Sequence, residues 1–345
     1  MFNKLIGNGH VKDVLRRFVS HRRVPNSLIL AGDEGVGKRH FALELARALI
    51  CVDPTHGEAC EICPACRRAV HFTFPASDDK DAHKRVIWSD HPDVGSVIPY
   101  NRNILVDAIR HLESEANFKP YEAQARFFII DDADKMNDAA SNALLKTLEE
   151  PPATSHIFVI TSRPDSLLPT IRSRCQLLRF APVEVASIEK YLIDERAFSH
   201  DEARLAASLS RGSVGRAVSI RIEQLRIRRE KMLDLVRTAV NGGDRLELLR
   251  AAEEMNESKN KDYFEEYLDI LQSLIHDVWS LGVTGDPARI VNTDLLADLG
   301  GLSKDADLAE LPGWLADIDS IRQTLEVNIN RKVATDAFFV SMAGS

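Results

Sequence analysis

The chain has 345 residues, 28% of them charged and 44% hydrophobic, a balance that excludes a largely disordered or collagen-like protein. Its 44 Lys and Arg against 52 Asp and Glu leave a formal net charge of −8, which argues against a protein that coats nucleic acid by bulk charge. No apolar run reaches the roughly 18 residues of a membrane span, and MFNKLIGNGHVKD lacks the basic start, apolar stretch and cleavage site of a secretory signal. The expectation is a soluble cytoplasmic protein with reduced thiols and no membrane association.

In chain order, residues 11–19 carry Val11, Val14, Leu15 and Phe18 at helical spacing. SLILA at 27–31 reads as a buried strand running into GDEGVGK, and 40–51 as a helix with Phe41, Leu45, Ala48 and Leu49 on one face. The polar stretch 72–84 is expected as an exposed loop, 94–99 as a short strand and 106–117 as an amphipathic helix. RFFII at 126–130 is a fully apolar strand ending in Asp131-Asp132. Residues 141–150 form a helix stopped by Pro151-Pro152, since proline cannot continue it. HIFVI at 156–160 and QLLRF at 176–180 are further strands. Apolar strands alternating with helices predict an α/β fold with a parallel sheet covered on both faces. After about Pro182 the pattern is helical; Tyr263, Tyr267, Leu268, Leu271, Leu274, Ile275 and Val278 fall on one stripe, suited to a helix–helix interface or to a core within the domain.

Four of the five cysteines cluster: Cys51, Cys60, Cys63 and Cys66, spaced C-x8-C-x2-C-x2-C. In a reducing compartment four thiolates suit a tetrahedral structural zinc. With no place left for water, such a metal is a staple and not a catalyst. An iron–sulfur cluster uses similar ligands, and free thiols are the plainer alternative. Cys175 stands alone and reads as a small buried hydrophobe.

Gly32, Gly35, Gly37 and Lys38 lie between an apolar strand and a helix, the context of a phosphate-binding loop. Backbone N–H groups, the helix N-terminus and the lysine together favour a nucleotide's phosphates, so the loop can take ATP. The residue after the lysine normally offers a hydroxyl to Mg²⁺; here it is Arg39, whose guanidinium cannot ligate metal, which puts Mg²⁺ in doubt. Asp131 ends the RFFII strand where the metal shell would be held. The next position, suited to a Glu that activates water, is Asp132, one methylene shorter. A loop kept only as a strand–helix turn explains the same residues. Asp134 reads as a solvated or capping carboxylate.

GDEGVGK, the four cysteines, FFIIDDADKMN, SNALLKTLEEPP and LPTIRSRC together resemble bacterial DNA polymerase III clamp-loader subunits of the AAA+ class. The motifs span about residues 2–216. Arg39 and Asp132 place the chain nearer the delta prime branch of that family than its gamma/tau ATPase branch, which carries Ser or Thr and Glu there. The resemblance implies a nucleotide-binding-like domain with the cysteine module over 1–180, a helical lid over 181–219 and a helical collar domain over 220–345. It implies an arginine finger at Arg174, with Arg172 as competitor, that reaches a neighbour's ATP. Thr161 matches the position that senses γ-phosphate, and Arg216 the second sensor in the lid. The implied partners are gamma/tau and delta subunits and, through the complex, the sliding clamp and primed DNA. The alternatives are a gamma/tau-type ATPase hydrolysing ATP at its own site, or a zinc-stapled adaptor with a vestigial pocket. Two basic clusters, Arg16, Arg17, Arg22 and Arg23, and Arg221, Arg226, Arg228, Arg229 and Lys231, read as solvated faces.

Overall fold

The computed structural model describes residues 1–242, 245–257, 260, 263–326 and 330–343. By contact the chain forms two compact units, Met1–Ile188 with Gly212–Arg216, and Glu189–Arg211 with Ala217–Ser345. The stretch expected as a lid is shared between them.

The first unit is built on six strands: β1 (Ser27–Ala31), β2 (Ile87–Trp88), β3 (Val94–Val97), β4 (Arg126–Ile130), β5 (Ser155–Thr161) and β6 (Gln176–Arg179). Their order is β2-β3-β4-β5-β1-β6. All neighbours are parallel except β2, a two-residue edge strand antiparallel to β3 that the hydrophobic pattern is too short to reveal. The helices are α1 (Gly9–His21), α2 (Lys38–Ile50), α3 (Pro64–Ala69), α4 (Val106–Ala116), α5 (Asp138–Glu149) and α6 (Pro169–Arg172). Leu28, Leu30, Phe127, Ile129, Phe158 and Ile160 pack on the α1–α2 side. The intervening Ile29, Phe128, Ile130, Ile157 and Val159 pack on the α4–α5 side. Burial of both faces is why the central residues of β1, β4 and β5 are apolar without alternation. α5 begins earlier than its apolar pattern, at Asp138, because the Asn137 side chain accepts from the Ala140 N–H at 2.9 Å and caps it.

β4 starts with a charge the apolar pattern hides. Arg126 is 1% exposed, its guanidinium 4.5 Å from the Trp88 ring centre and 3.0 Å from Glu115. The neighbouring Asp93 is fully buried and accepts from the backbone N–H groups of Tyr121, Glu122 and Ala123 at 2.8 Å each.

From α7 (Val185–Arg196) onward the chain is helical: α8 (His200–Leu209), α9 (Val214–Ser219), α10 (Ile222–Val240), α11 (Arg245–Asn256), α12 (Phe264–Thr284), α13 (Leu296–Asp305), α14 (Leu311–Glu326) and α15 (Arg331–Met342). In the second unit α12 is central and packs against α8, α10, α11, α13 and α14. Tyr267, Leu268, Leu271, Leu274, Ile275 and Val278 are buried there, with Tyr263 partly buried against the same core. The stripe therefore serves the chain's own core.

Candidate functional site

β1 is the switch strand: β5 and β6 flank it, and the loop that leaves its C-terminal end opens α2. The loop needs its glycines. A Cβ on Gly35, at φ +76°, would fall 2.2 Å from Ser213 Oγ, and the Gly35 carbonyl accepts from the Gly215 N–H at 2.8 Å. The Gly212–Arg216 segment thus closes against the loop and brings the Arg216 backbone beside Gly35. A Cβ on Gly32, at φ +155°, would meet the Phe180 carbonyl at 2.5 Å. Gly37 caps α2 at φ +100°.

Lys38, Arg39 and Asp132 each have partners within the chain. Lys38, 7% exposed, donates from Nζ to the carbonyls of Gly32 at 2.5 Å and Asp33 at 2.7 Å. Burial lowers its pKa, against the opposing pull of Asp132 and Asp131. Arg39 Nη1 pairs with Asp131, and its guanidinium lies 4.7 Å from the Phe74 ring centre and 5.8 Å from that of Phe72. Those rings stack on each other at 5.4 Å. Asp132, in the left-handed region at φ +47°, holds Lys135 Nζ at 2.8 Å. A Mg²⁺ site does not fit these residues: there is no hydroxyl after the lysine, and a fixed guanidinium holds the carboxylate that would serve the metal.

Asp134 is no solvated carboxylate. Its side chain is 4% exposed and accepts from Thr161 Oγ1 at 2.9 Å, the Ser162 N–H at 3.2 Å and Arg163 Nη2 at 2.9 Å. Burial would raise its pKa, but the bonds from Arg163, Thr161 and Ser162 outweigh that and hold it below the usual range. The latch ties the end of β4 to the end of β5, and Thr161, fully buried, is part of it. Asp134, Arg163, Phe72 and Phe74 carry no recognisable signal in sequence, because each matters only through a distant partner.

Arg174 is exposed and bonded to Glu149 Oε1 at 2.8 Å and the Thr170 carbonyl at 3.0 Å. Arg172 pairs with Asp165 at 2.6 Å. Cys175 packs against the α4–α5 core, and burial pushes its thiol up to about 12.

Cys51 at the end of α2, Cys60, Cys63 and Cys66 converge, with all four sulfurs within 4.8 Å of one another and Cys60 Sγ 3.9 Å from Cys66 Sγ. Regular tetrahedral Zn–S geometry sets sulfurs about 3.8 Å apart. The backbone N–H groups of Cys60, Cys63 and Cys66 point at the sulfurs of Cys51, Cys60 and Cys63 at 3.3, 3.4 and 3.4 Å. Burial opposes ionisation of Cys63, but N–H groups of Val52 and Cys66 bring it down to about 6. These four residues could hold a metal ion.

The strand order, the phosphate-type loop and the acidic end of β4 define a P-loop α/β domain of the AAA+ class. Residues 7–184 match the family described as DNA polymerase III, delta subunit. DNA polymerase III subunit delta' of Escherichia coli (strain K12) is 30% identical over 312 residues, covering 89% of this chain and 86% of its own. The same subunit of Bacillus subtilis (strain 168) is 28% identical over 321 residues, 93% and 91% respectively. Subunit tau of Escherichia coli (strain K12) is 28% identical over 224 residues, 64% of this chain but 32% of its own. The chain belongs to the DNA polymerase III delta prime family.

Proposed function

We propose that the chain is the non-hydrolysing, stator-like subunit of a replicative clamp loader, presenting Arg174 to ATP bound by a neighbouring subunit. The observation that carries this is the contrast between two arginines. Arg39 closes the chain's own loop on Asp131, whereas Arg174 stands at the surface on a short turn. A guanidinium offered across an interface stabilises the charge that develops on a transferred γ-phosphoryl group. Hydrolysis next door would then drive loading of the sliding clamp onto primed DNA.

In this reading gamma/tau supplies the ATPase and delta completes the assembly. The 181–219 segment acts as a lid that carries Arg216, and 220–345 as the collar domain. The cysteine module holds structural zinc, which supplies a rigid cross-link and no chemistry. Gly32, Gly35, Gly37 and Lys38 keep a phosphate-type loop, and Thr161 donates its hydroxyl to Asp134 beside it.

The test is ATP turnover by the purified chain alone and with its ATPase partner. The expected result is no turnover alone, and partner turnover that drops about tenfold or more on Arg174→Ala with assembly intact. Turnover by the isolated chain, abolished by Lys38→Ala, would replace this reading with the gamma/tau type. Partner turnover indifferent to Arg174 would leave a zinc-stapled adaptor.

A further inference from the structure

α5 ends at Glu149 because Pro151 and Pro152 cannot continue it, and Arg174 follows the single turn of α6. The two residues, 25 apart in sequence, meet: Arg174 Nη2 donates to Glu149 Oε1 at 2.8 Å, and Nη1 to the Thr170 carbonyl at 3.0 Å. Two acceptors on two different nitrogens orient the plane of a guanidinium, which one acceptor does not. Arg172 shows the contrast: its Nη1 bonds Asp165, a side chain 90% exposed.

A guanidinium has five N–H donors in a rigid fork, so the remaining donors of Arg174 are left for an oxyanion. A free arginine side chain loses its rotamer freedom on meeting a phosphate; one already tied at both nitrogens has lost it beforehand. The Glu149 charge opposes attraction of an anion, but its side chain is 51% exposed and therefore screened. Water competes for the Glu149 bond as well, but the second acceptor is a backbone carbonyl fixed by the chain, so the two bonds together still set the orientation of the guanidinium.

We infer that Glu149 is a positioning residue that holds the Arg174 guanidinium oriented for a polyphosphate on an adjoining subunit. The inference rests on the reading that Arg174 acts in trans.

The experiment is steady-state ATP turnover by the assembled complex, with assembly measured separately by gel filtration. Glu149→Ala should lower kcat about three- to tenfold at unchanged KM and unchanged assembly. Glu149→Gln, which keeps the acceptor and drops the charge, should restore kcat to within about twofold of wild type. The pair Glu149→Ala and Arg174→Ala should be no slower than Arg174→Ala alone. A rise in kcat with Glu149→Ala would make Glu149 a competitor of phosphate and overturn the inference. So would a Glu149→Ala defect that persists without Arg174, or loss of assembly with both Glu149 variants. If Arg174→Ala is silent while Glu149→Ala slows turnover, the trans reading fails and Glu149 acts by another route; if both are silent, the two ideas fall together.

Discussion

Arg39 and Asp131 lie 92 positions apart in sequence and form an ion pair across the mouth of the phosphate-type loop. The pair is held from outside, because Phe72 and Phe74 stack on each other and the guanidinium lies over both rings. Lys38 and the N-terminus of α2 already place positive charge at this corner, among the carboxylates of Asp33, Glu34, Asp131 and Asp132. A further cation is tolerated there because Asp131 neutralises it and the aromatic faces attract it. The divalent ion of an active loop would need that same carboxylate.

Replacing the guanidinium by a hydroxyl should therefore change how nucleotide binds. In Arg39→Thr, Asp131 is released and the missing Mg²⁺ ligand is supplied. Affinity for a fluorescent ATP analogue should rise about tenfold or more when Mg²⁺ is added, whereas the parent chain should show no Mg²⁺ dependence. A parent chain that binds the analogue more tightly with Mg²⁺ would refute this account of the loop.

The cysteine module should bind one zinc per chain, measurable by metal analysis of protein purified under reducing conditions. Stripping it with a chelator, or Cys66→Ser, should lower the thermal midpoint by about 5 °C or more. Phe72 and Phe74 follow α3 directly, so faster amide exchange near 72–74 should accompany the loss. Unchanged exchange there would mean the aromatic clamp on Arg39 is independent of the metal.

Asp134 should give the first unit a defined acid sensitivity. Its pKa is depressed in the folded chain, so its contribution is complete above the ordinary carboxylate value, about 3.9, and is lost as pH falls through the lower folded value. Asp134→Asn should cost about 1–2 kcal/mol at pH 7 by urea unfolding. The gap between variant and parent should narrow as pH falls below the ordinary carboxylate value and through the lower folded one. A gap that does not change with pH would show that the charge of Asp134 contributes nothing.

The buried cation of β4 offers a larger effect. Arg126→Ala removes the partner of Glu115 and empties the space beside Trp88. Unfolding should then be easier by about 3–5 kcal/mol. Asp93 keeps its three backbone N–H donors, so the loop at 121–123 should stay ordered, as backbone chemical shifts would show.

Leu274→Ala should destabilise the chain by about 2–5 kcal/mol, because this side chain is wholly buried in the core of the second unit. A loss below about 0.5 kcal/mol in the isolated chain would contradict its burial there.

Much of this protein is legible in its sequence. SLILA, RFFII and HIFVI announce doubly buried strands because burial on both faces removes the polar alternation. The glycine pattern, Lys38 and the four cysteines announce their sites because each chemistry demands particular residue types at short spacing. Arg39 and Asp132 were readable as departures for the same reason. Asp134 is buried where its sequence context suggests a solvated carboxylate, and β2 and the burial of Arg126 leave no local sign, because pattern carries neither burial depth nor partner identity.

Residue type and short-range period thus determined the α/β class, the phosphate-type loop, the cysteine module and the helical remainder. Tertiary structure alone decided which charges meet. Strand order carries Asp131 to Arg39, the β4–β5 pairing carries Thr161 to Asp134, and the stop of α5 carries Glu149 to Arg174. The physical reason is range: a backbone period is set by neighbours a few residues away, whereas an ion pair depends on where the whole chain returns.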